Sequence, residues 1–380
     1  MRDKKILMVW IEPTPYILDL IKAIEKIADF DLEIIFLKEN LSQNWNLFLQ
    51  KNQVILKSGV LKTIYQKILQ KKYRIIFLAG WSNKITLLFL ILAKLRGIPV
   101  AVDSDTPILP LTSLLRRAIK RMVYPILFKL PNLFLPAGIR QANYLKYYGV
   151  SDHKIILEKM TVDVIGIQES IRQLPFEFKT NLRNKLCIAE NDFVFLFIGR
   201  LIERKGIKEL LDAFSKINNS KAKLLIIGSG ELKPDIEAAA ELNNKIIYTG
   251  WLERNEIIKI YFISDVFVLP AHWEPWGLVI NEAMAAGLPV IVSDQVGCVD
   301  DLVMHEKTGL IIKNKSVNDL IFAFHYFLNN PEKYKEISKN SLSLISNHTI
   351  EDSARQIGKA FECLQPHAII SSNANTNAET

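Results

Sequence analysis

The sequence predicts an α/β protein of two doubly wound domains in tandem, facing a central cleft. Three observations carry that reading. The chain has 380 residues, more than one ordinary core holds when about 150 residues per domain is usual. Short apolar runs alternate with longer amphipathic stretches, the pattern of parallel strands wrapped by helices. That alternation lapses from Asp163 to Asn191 and then begins again. Hydrophobic residues make up 49% and charged residues 23%, a balance that excludes a disordered or collagen-like chain. Cys187, Cys298 and Cys363 are scattered, with no CxxC or Cys/His cluster. A disulfide framework and a structural zinc site are thereby excluded.

Taken in order, the first half offers strands at Lys5–Ile11, Leu32–Leu37, Arg74–Leu78, Val100–Val102 and Asn132–Leu135. Pro15–Ala28 and Leu87–Leu95 read as helices between them, and Gly97-Ile98-Pro99 leads into the next strand. The second half offers strands at Phe193–Ile198, Lys223–Ile227, Lys245–Tyr248, Val266–Leu269, Val290–Val292 and Gly309–Ile312. The resulting division is a domain over 1–165, a linker over 166–190, a second domain over 191–348, a helix over 349–365 returning to the first domain, and a tail over 366–380. The tail is rich in Ser, Asn, Thr and Ala without periodicity, which predicts disorder. No internal sequence repeat is evident.

Charge is unevenly placed. Residues 1–151 carry 23 Lys+Arg against 10 Asp+Glu, whereas the rest carries 25 against 30. The first half is therefore expected to meet something anionic. From Thr106 to Ser151 there are seven Lys/Arg and no acid. There Leu111, Leu114, Leu115, Ile119, Met122 and Ile126 fall at helical spacing, with Arg116, Arg117, Lys120 and Arg121 on the other side. Two readings stand: a basic amphipathic helix over 111–130 at an anionic membrane surface, or a core helix with a solvated basic face. The charge asymmetry favours the membrane. No recognised nucleic-acid module occurs, so a nucleic-acid partner is not expected. The apolar run Ile85–Ala93 is clipped by Lys84 and Lys94, and Glu12-Pro13 interrupts the N-terminal one. Neither reads as a membrane span or a signal peptide, and a cytoplasmic protein, soluble or peripheral at the membrane's inner face, is expected.

Three features follow strand ends in the second half. Gly199-Arg200-Leu201 with Lys205-Gly206 permits a tight turn and sets two cations at the sheet edge, where phosphate oxygens are usual partners. Gly228-Ser229-Gly230 begins a dinucleotide fingerprint, but Lys233 stands where its third glycine belongs. A hydride-transferring dehydrogenase is thus disfavoured, while close backbone approach to a nucleotide remains open. The segment Leu269 to Val290 carries Glu274 in a loop and Glu282 on a helix starting near Gly277. A helix start is a ready anion site. The neighbours of Glu282 are almost wholly apolar, so a solvated face does not account for it.

Together these residues resemble the retaining nucleotide-sugar glycosyltransferases of the two-Rossmann-domain (GT-B) type in the large family 4. Glu274 and Glu282 match the Glu-x7-Glu element, and Gly277-Leu278 with Glu282-Ala283-Met284-Ala285-Ala286-Gly287 and Pro289-Val290 matches throughout. The resemblance is strong over about 190–315 and weaker in the first half. It implies that the first domain binds the acceptor and the second the nucleotide sugar. It also implies that Arg200 and Lys205, with Glu274 as the third catalytic residue, act on the donor. The cations would neutralise the leaving diphosphate, and Glu274 would contact the sugar hydroxyls. Gly199, Gly230 and the backbone of Gly277, Leu278 and Val279 would border the donor. Glu282 would take the ribose diol, and Trp251-Leu252 would receive the base. Expected partners are a nucleotide-sugar donor, UDP- or GDP-linked, and a saccharide or lipid-linked acceptor in envelope polysaccharide or glycolipid assembly.

The acceptor side departs from the family. Glu12-Pro13-Thr14-Pro15-Tyr16 replaces its glycine-rich loop, and Asp103-Ser104-Asp105 ends the Val100–Val102 strand where a His is usual. Thr14, Tyr16, Asp103 and Asp105 are the acceptor-side or sugar-side candidates. The D-x-D triplet could hold a hard divalent cation, but the rest of the chain fits a metal-independent arrangement, so neither metal nor cofactor is expected. His272 reads as a cleft-lining loop residue rather than a general base. The alternatives are another sugar-nucleotide enzyme of this fold, of epimerase or phosphorylase type, and a non-catalytic partner subunit.

Overall fold

A computed structural model describes residues 5–27, 30–39, 49–56, 67, 73–108 and 114–364. The expected tail over 366–380 and Leu111 lie outside them, as does the side chain of Leu114. The first sheet holds β1 (Lys5–Trp10), β2 (Asp31–Phe36), β3 (Gln53–Ile55), β4 (Ile75–Ala79), β5 (Val100–Ser104) and β6 (Leu133–Pro136). The second holds β7 (Phe193–Ile198), β8 (Ala222–Ile227), β9 (Ile246–Gly250), β10 (Val266–Leu269), β11 (Val290–Ser293) and β12 (Gly309–Ile312). The orders are β3-β2-β1-β4-β5-β6 and β9-β8-β7-β10-β11-β12, all pairs parallel. These are one topology used twice, so the predicted fold class is observed and the two halves repeat in architecture without repeating in sequence. In such sheets the crevice opens where the strand order reverses: between β1 and β4, and between β7 and β10.

Strand periodicity explains why both faces of the first sheet are buried. Ile6, Met8 and Trp10 face the Pro15–Ile27 helix and, from the far end of the chain, the Ile350–Cys363 helix. Leu7 and Val9 face the opposite layer with Phe89, Leu90, Tyr144 and Leu145. The second sheet has a single continuous core in which Phe195, Phe214 and Phe324 pack edge to face.

Three local features differ from the sequence reading. β3 has only three residues and was not predicted. The stretch read as a linker contains two helices, Val164–Arg172 and Phe176–Lys185, with Val164 and Ile167 in the second core. A buried cation disguises the second of them. Arg183 is 5% exposed, pairs with Asp265 at 3.0 Å and donates to the carbonyls of Ile263, Glu190 and Asp192. The core reading of the basic segment is also overturned. In the Leu114–Leu127 helix, Leu115, Ile119, Met122 and Ile126 are exposed, while Arg117 and Lys120 are turned partly inward.

Candidate functional site

The donor-side candidates gather at the switch point of the second sheet. Gly199 ends β7, and its amide donates to the Ile227 carbonyl while that of Leu201 donates to Ser229. The two loops touch backbone to backbone, so a Cβ on Gly228 would collide with the Gly199 carbonyl and one on Gly230 with that of Leu201. Gly228 also sits at φ +142°, where side chains are disfavoured. Glycine at these positions therefore keeps the edge of the sheet low and open.

A turn over Glu203–Lys205 then brings two cations onto one carboxylate. Lys205 Nζ and Arg204 Nη1 each lie 2.7 Å from the same Glu274 oxygen. Lys205 is buried, and desolvation lowers its ammonium below the ordinary lysine range against the pull of Glu274. Arg204 also donates to the Trp273 carbonyl and stacks on that indole, 4.7 Å from its centroid. Arg200 is exposed at the edge, near enough for its charge to help lower Lys205. Sequence reasoning placed Arg200 and Lys205 here and missed Arg204. The signal was its adjacency to Lys205 in a 3-10 turn, which carries both side chains to one side.

The Glu274 loop leads to Gly277, at φ +101°, and then to the Leu278–Ala285 helix. The first-turn amides of a helix, here those of Leu278 and Val279, have no intrahelical acceptor. Glu282, one turn further on, accepts from the Tyr261 hydroxyl at 2.9 Å. Burial raises its carboxyl, opposed by Tyr261 and by the Arg254 charge. Tyr261, also unread in the sequence, thus orients the carboxylate expected to take the ribose. Trp251 and Leu252 follow β9, Trp251 exposed and Leu252 half-buried. His272 pairs with Glu209 at 2.9 Å and is held as a loop anchor.

The first half grips this loop directly. Gln141 donates to the Pro275 carbonyl at 2.6 Å, and Arg140 donates to the carbonyls of Asp294 and Val296. The Ile139 amide donates to Asp301, whose carboxyl burial raises to about 6. Asn281 reaches Thr161, and Arg254 pairs with Asp19 at 2.9 Å.

The acceptor-side candidates form a second, different group at the carboxyl ends of β1 and β5. Asp103 is buried beside Glu158, another buried acid that sequence reasoning missed. Desolvation raises both carboxyls, and the Glu158 charge raises that of Asp103 further. Ser353, from the returning C-terminal helix, donates to Glu158 at 3.4 Å. Beside the pair is a cavity of about 10 Å³ lined by Trp10, Tyr16, Asp103, Glu158, Met160 and Thr161. Thr14 is buried just before the Pro15–Ile27 helix, and burial pushes the Tyr16 phenol up to about 12. Asp105 continues past the strand; desolvation, and after it the Glu274 charge, raises its carboxyl. Asp103 and Asp105 therefore point to different tasks, and no group of three or more metal-ligating side chains occurs among the described residues.

Comparison with known proteins follows the same division. Residues 178–343 match the model of the family described as Glycosyl transferases group 1. An uncharacterized glycosyltransferase of Methanocaldococcus jannaschii is 32% identical over 45% of this chain and 47% of its own. The UDP-Gal:alpha-D-GlcNAc-diphosphoundecaprenol alpha-1,3-galactosyltransferase of Escherichia coli is 29% identical over 69% of this chain and 68% of its own. The chain thus spans about half to two thirds of the length of the curated relatives it matches. Among solved structures, Anabaena HepE in complex with UDP superposes with a TM-score of 0.77 at 16% identity, covering 95% of this chain and 100% of that one. A glycosyltransferase from Rickettsia africae gives 0.77 at 17% identity, over 97% and 100%. These likenesses show a shared GT-B fold.

Proposed function

We infer that this chain, which carries a glycosyl transferases group 1 domain over residues 178–343, moves a sugar from a UDP- or GDP-linked donor to a hydroxyl of a saccharide or lipid-linked acceptor. The setting proposed is cytoplasmic assembly of envelope polysaccharide or glycolipid. The observation that carries the reading is the Glu274 carboxylate clamped by Lys205 and Arg204 beside the start of the Leu278–Ala285 helix. Named functions of relatives support it: the Escherichia coli galactosyltransferase above, and a lipopolysaccharide core mannosyltransferase of Rhizobium meliloti, 32% identical over 54% of this chain and 61% of its own.

The chemistry needs no protein nucleophile. The bond from the sugar's anomeric carbon to the β-phosphate oxygen breaks, and one from that carbon to the acceptor oxygen forms on the same face, retaining configuration. The acceptor's proton passes to the departing phosphate. Negative charge grows on that phosphate, where Arg200, Lys205 and the helix's first amides stabilise it. Three positive sources can do the work a metal ion does elsewhere, so the step is proposed to be metal-independent. Glu274 holds the sugar hydroxyls, and its two cations hold it in place. Glu282, oriented by Tyr261, takes the ribose diol.

Thermal stabilisation by UDP-, GDP- and ADP-sugars in EDTA tests the donor site. One nucleotide series should stabilise the wild type and fail to stabilise Glu282→Ala. Absence of any shift with every donor would sink the reading. Arg200→Ala should lower turnover by at least ~10²-fold, as loss of a transition-state donor does; near-wild-type turnover would remove Arg200 from the mechanism.

A further inference from the structure

Glu274 is held by two different parts of the chain. Its side chain is clamped within the second half, by Lys205 and Arg204. Its backbone is pinned by the loop after β11. The Glu274 amide donates to the Gln295 carbonyl at 3.2 Å, and the Glu274 carbonyl accepts from the Gly297 amide at 2.9 Å. The Trp276 carbonyl accepts from the Cys298 amide at 3.1 Å. The bridge between Glu274 and Val296 stands outside the sheet. A two-strand contact of that length is not stable by itself, so its position depends on what packs against it.

What packs against it comes from the first half. The Ile139–Tyr147 helix follows β6 and seats its first turn on this small ladder. Arg140 Nη1 donates to the Asp294 carbonyl at 2.6 Å and to that of Val296 at 3.2 Å, which fixes one rail. Gln141 Nε2 donates to the Pro275 carbonyl at 2.6 Å, which fixes the other rail one residue from Glu274. Gln141 is wholly buried, and its Oε1 has no hydrogen-bond partner among the described residues. A buried amide satisfied at one end costs stability that an apolar side chain of the same shape would not. Packing alone therefore does not account for it. The fit is tight: a Cβ on Gly297 would collide with both the Pro275 carbonyl and the Gln141 amide.

We propose that Gln141, supported by Arg140, is a positioning residue for Glu274, so that contact with the transferred sugar depends on the docked first half while nucleotide binding does not. The proposal rests on the reading of Glu274 as the sugar contact. Its division of labour follows from where the groups sit. Glu282, Gly230 and Trp251, expected to border the nucleotide, lie on elements of the second half. Gln141 and Arg140 bond instead to Pro275, Asp294, Val296 and Asp300. Loosening them moves the carboxylate that meets the sugar and leaves the one that meets the ribose. Misplacement by about 1 Å can cost about 10²-fold in rate.

Gln141→Met keeps the side chain's length and removes the donor. Turnover at saturating donor should fall about 10-fold or more, while affinity for UDP or GDP, whichever the wild type binds, stays within about two-fold. Arg140→Lys keeps the charge but loses the fork across Asp294 and Val296, and should show the same split more weakly. Asp301→Ala is the control. It removes the bond from the Ile139 amide in the same interface and leaves the ladder intact, so turnover should stay within about two-fold. Hydrogen exchange over residues 273–278, measured without nucleotide, should be faster in Gln141→Met and little changed in Asp301→Ala. Wild-type turnover in Gln141→Met overturns the proposal, as does unchanged exchange there. Nucleotide affinity that falls in step with turnover also overturns it, as does an Asp301→Ala variant as slow as Gln141→Met. A wild type without turnover on any donor fails differently: it removes the functional reading, and the exchange result alone then decides whether Gln141 holds the Glu274 loop.

Discussion

Both halves of this molecule bring carboxylates to the carboxyl edge of the same strand order, yet they surround them by opposite means. In the second half Glu274 is matched by two cations, each 2.7 Å away. In the first half Asp103 and Glu158 have each other and Ser353, with no cation among the groups that set their ionisation. One group is built to hold charge in place, and the other to hold a proton. The difference teaches that topology places a site but does not choose its electrostatics. The side chains arriving at the strand ends decide that.

The comparison can be broken from either side. The largest expected effect is from Lys205→Met. It leaves Arg204 alone on Glu274 and takes a cation from the proposed leaving phosphate, so turnover should fall by at least ~10²-fold. Retention of turnover within a few-fold, measured with saturating donor, would mean that the clamp is structural. Glu158→Gln should come next. A carboxyl raised in the folded state makes the fold bind more protons than the unfolded chain. The pair's stabilising effect is therefore full below the ordinary carboxyl range, near about 4, and is lost as pH rises toward the raised values. The slope is at most about 1.4 kcal/mol per pH unit for each proton released. Urea midpoints of wild type and Glu158→Gln should diverge in slope over that window, and parallel curves would show that no proton is shared. The smallest effect should come from Asp19→Asn, which cuts the partly exposed pair with Arg254 between the halves. A loss of about 0.2–1 kcal/mol that shrinks with added salt is expected. A larger, salt-independent loss would make this contact a principal tie rather than an accessory one.

How much of this was legible depended on distance along the chain. The second site was readable because Gly199, Lys205, Glu274 and Glu282 sit in local motifs with turn and helix signals around them. Arg204 was overlooked because adjacency in sequence does not show where a side chain points, and only the turn geometry shows it converging with Lys205 on Glu274. Glu158 gave no local signal, since its neighbour Asp103 lies on β5, far away in sequence, and an acid in a loop ordinarily meets water. β3 escaped because three residues cannot display a period. The helix over Leu114–Leu127 is the most instructive case. Periodicity reveals that a helix has two faces but not which one turns inward, and Lys120 over Tyr124 and Tyr144 reversed the usual answer.

The Ile350–Cys363 helix carries Ile357 and Phe361 into the first half's interior, against Ile6, Met8 and Phe77. During synthesis the ribosome completes β1 through β6 long before that helix emerges, so the first half must wait with one face of its sheet covered only by the Pro15–Ile27 helix while the second half is made. Among the described residues, the second core takes no buried member from beyond Ile345. The part made later can therefore finish folding before the part made first, and the Ile350–Cys363 helix completes the earlier one.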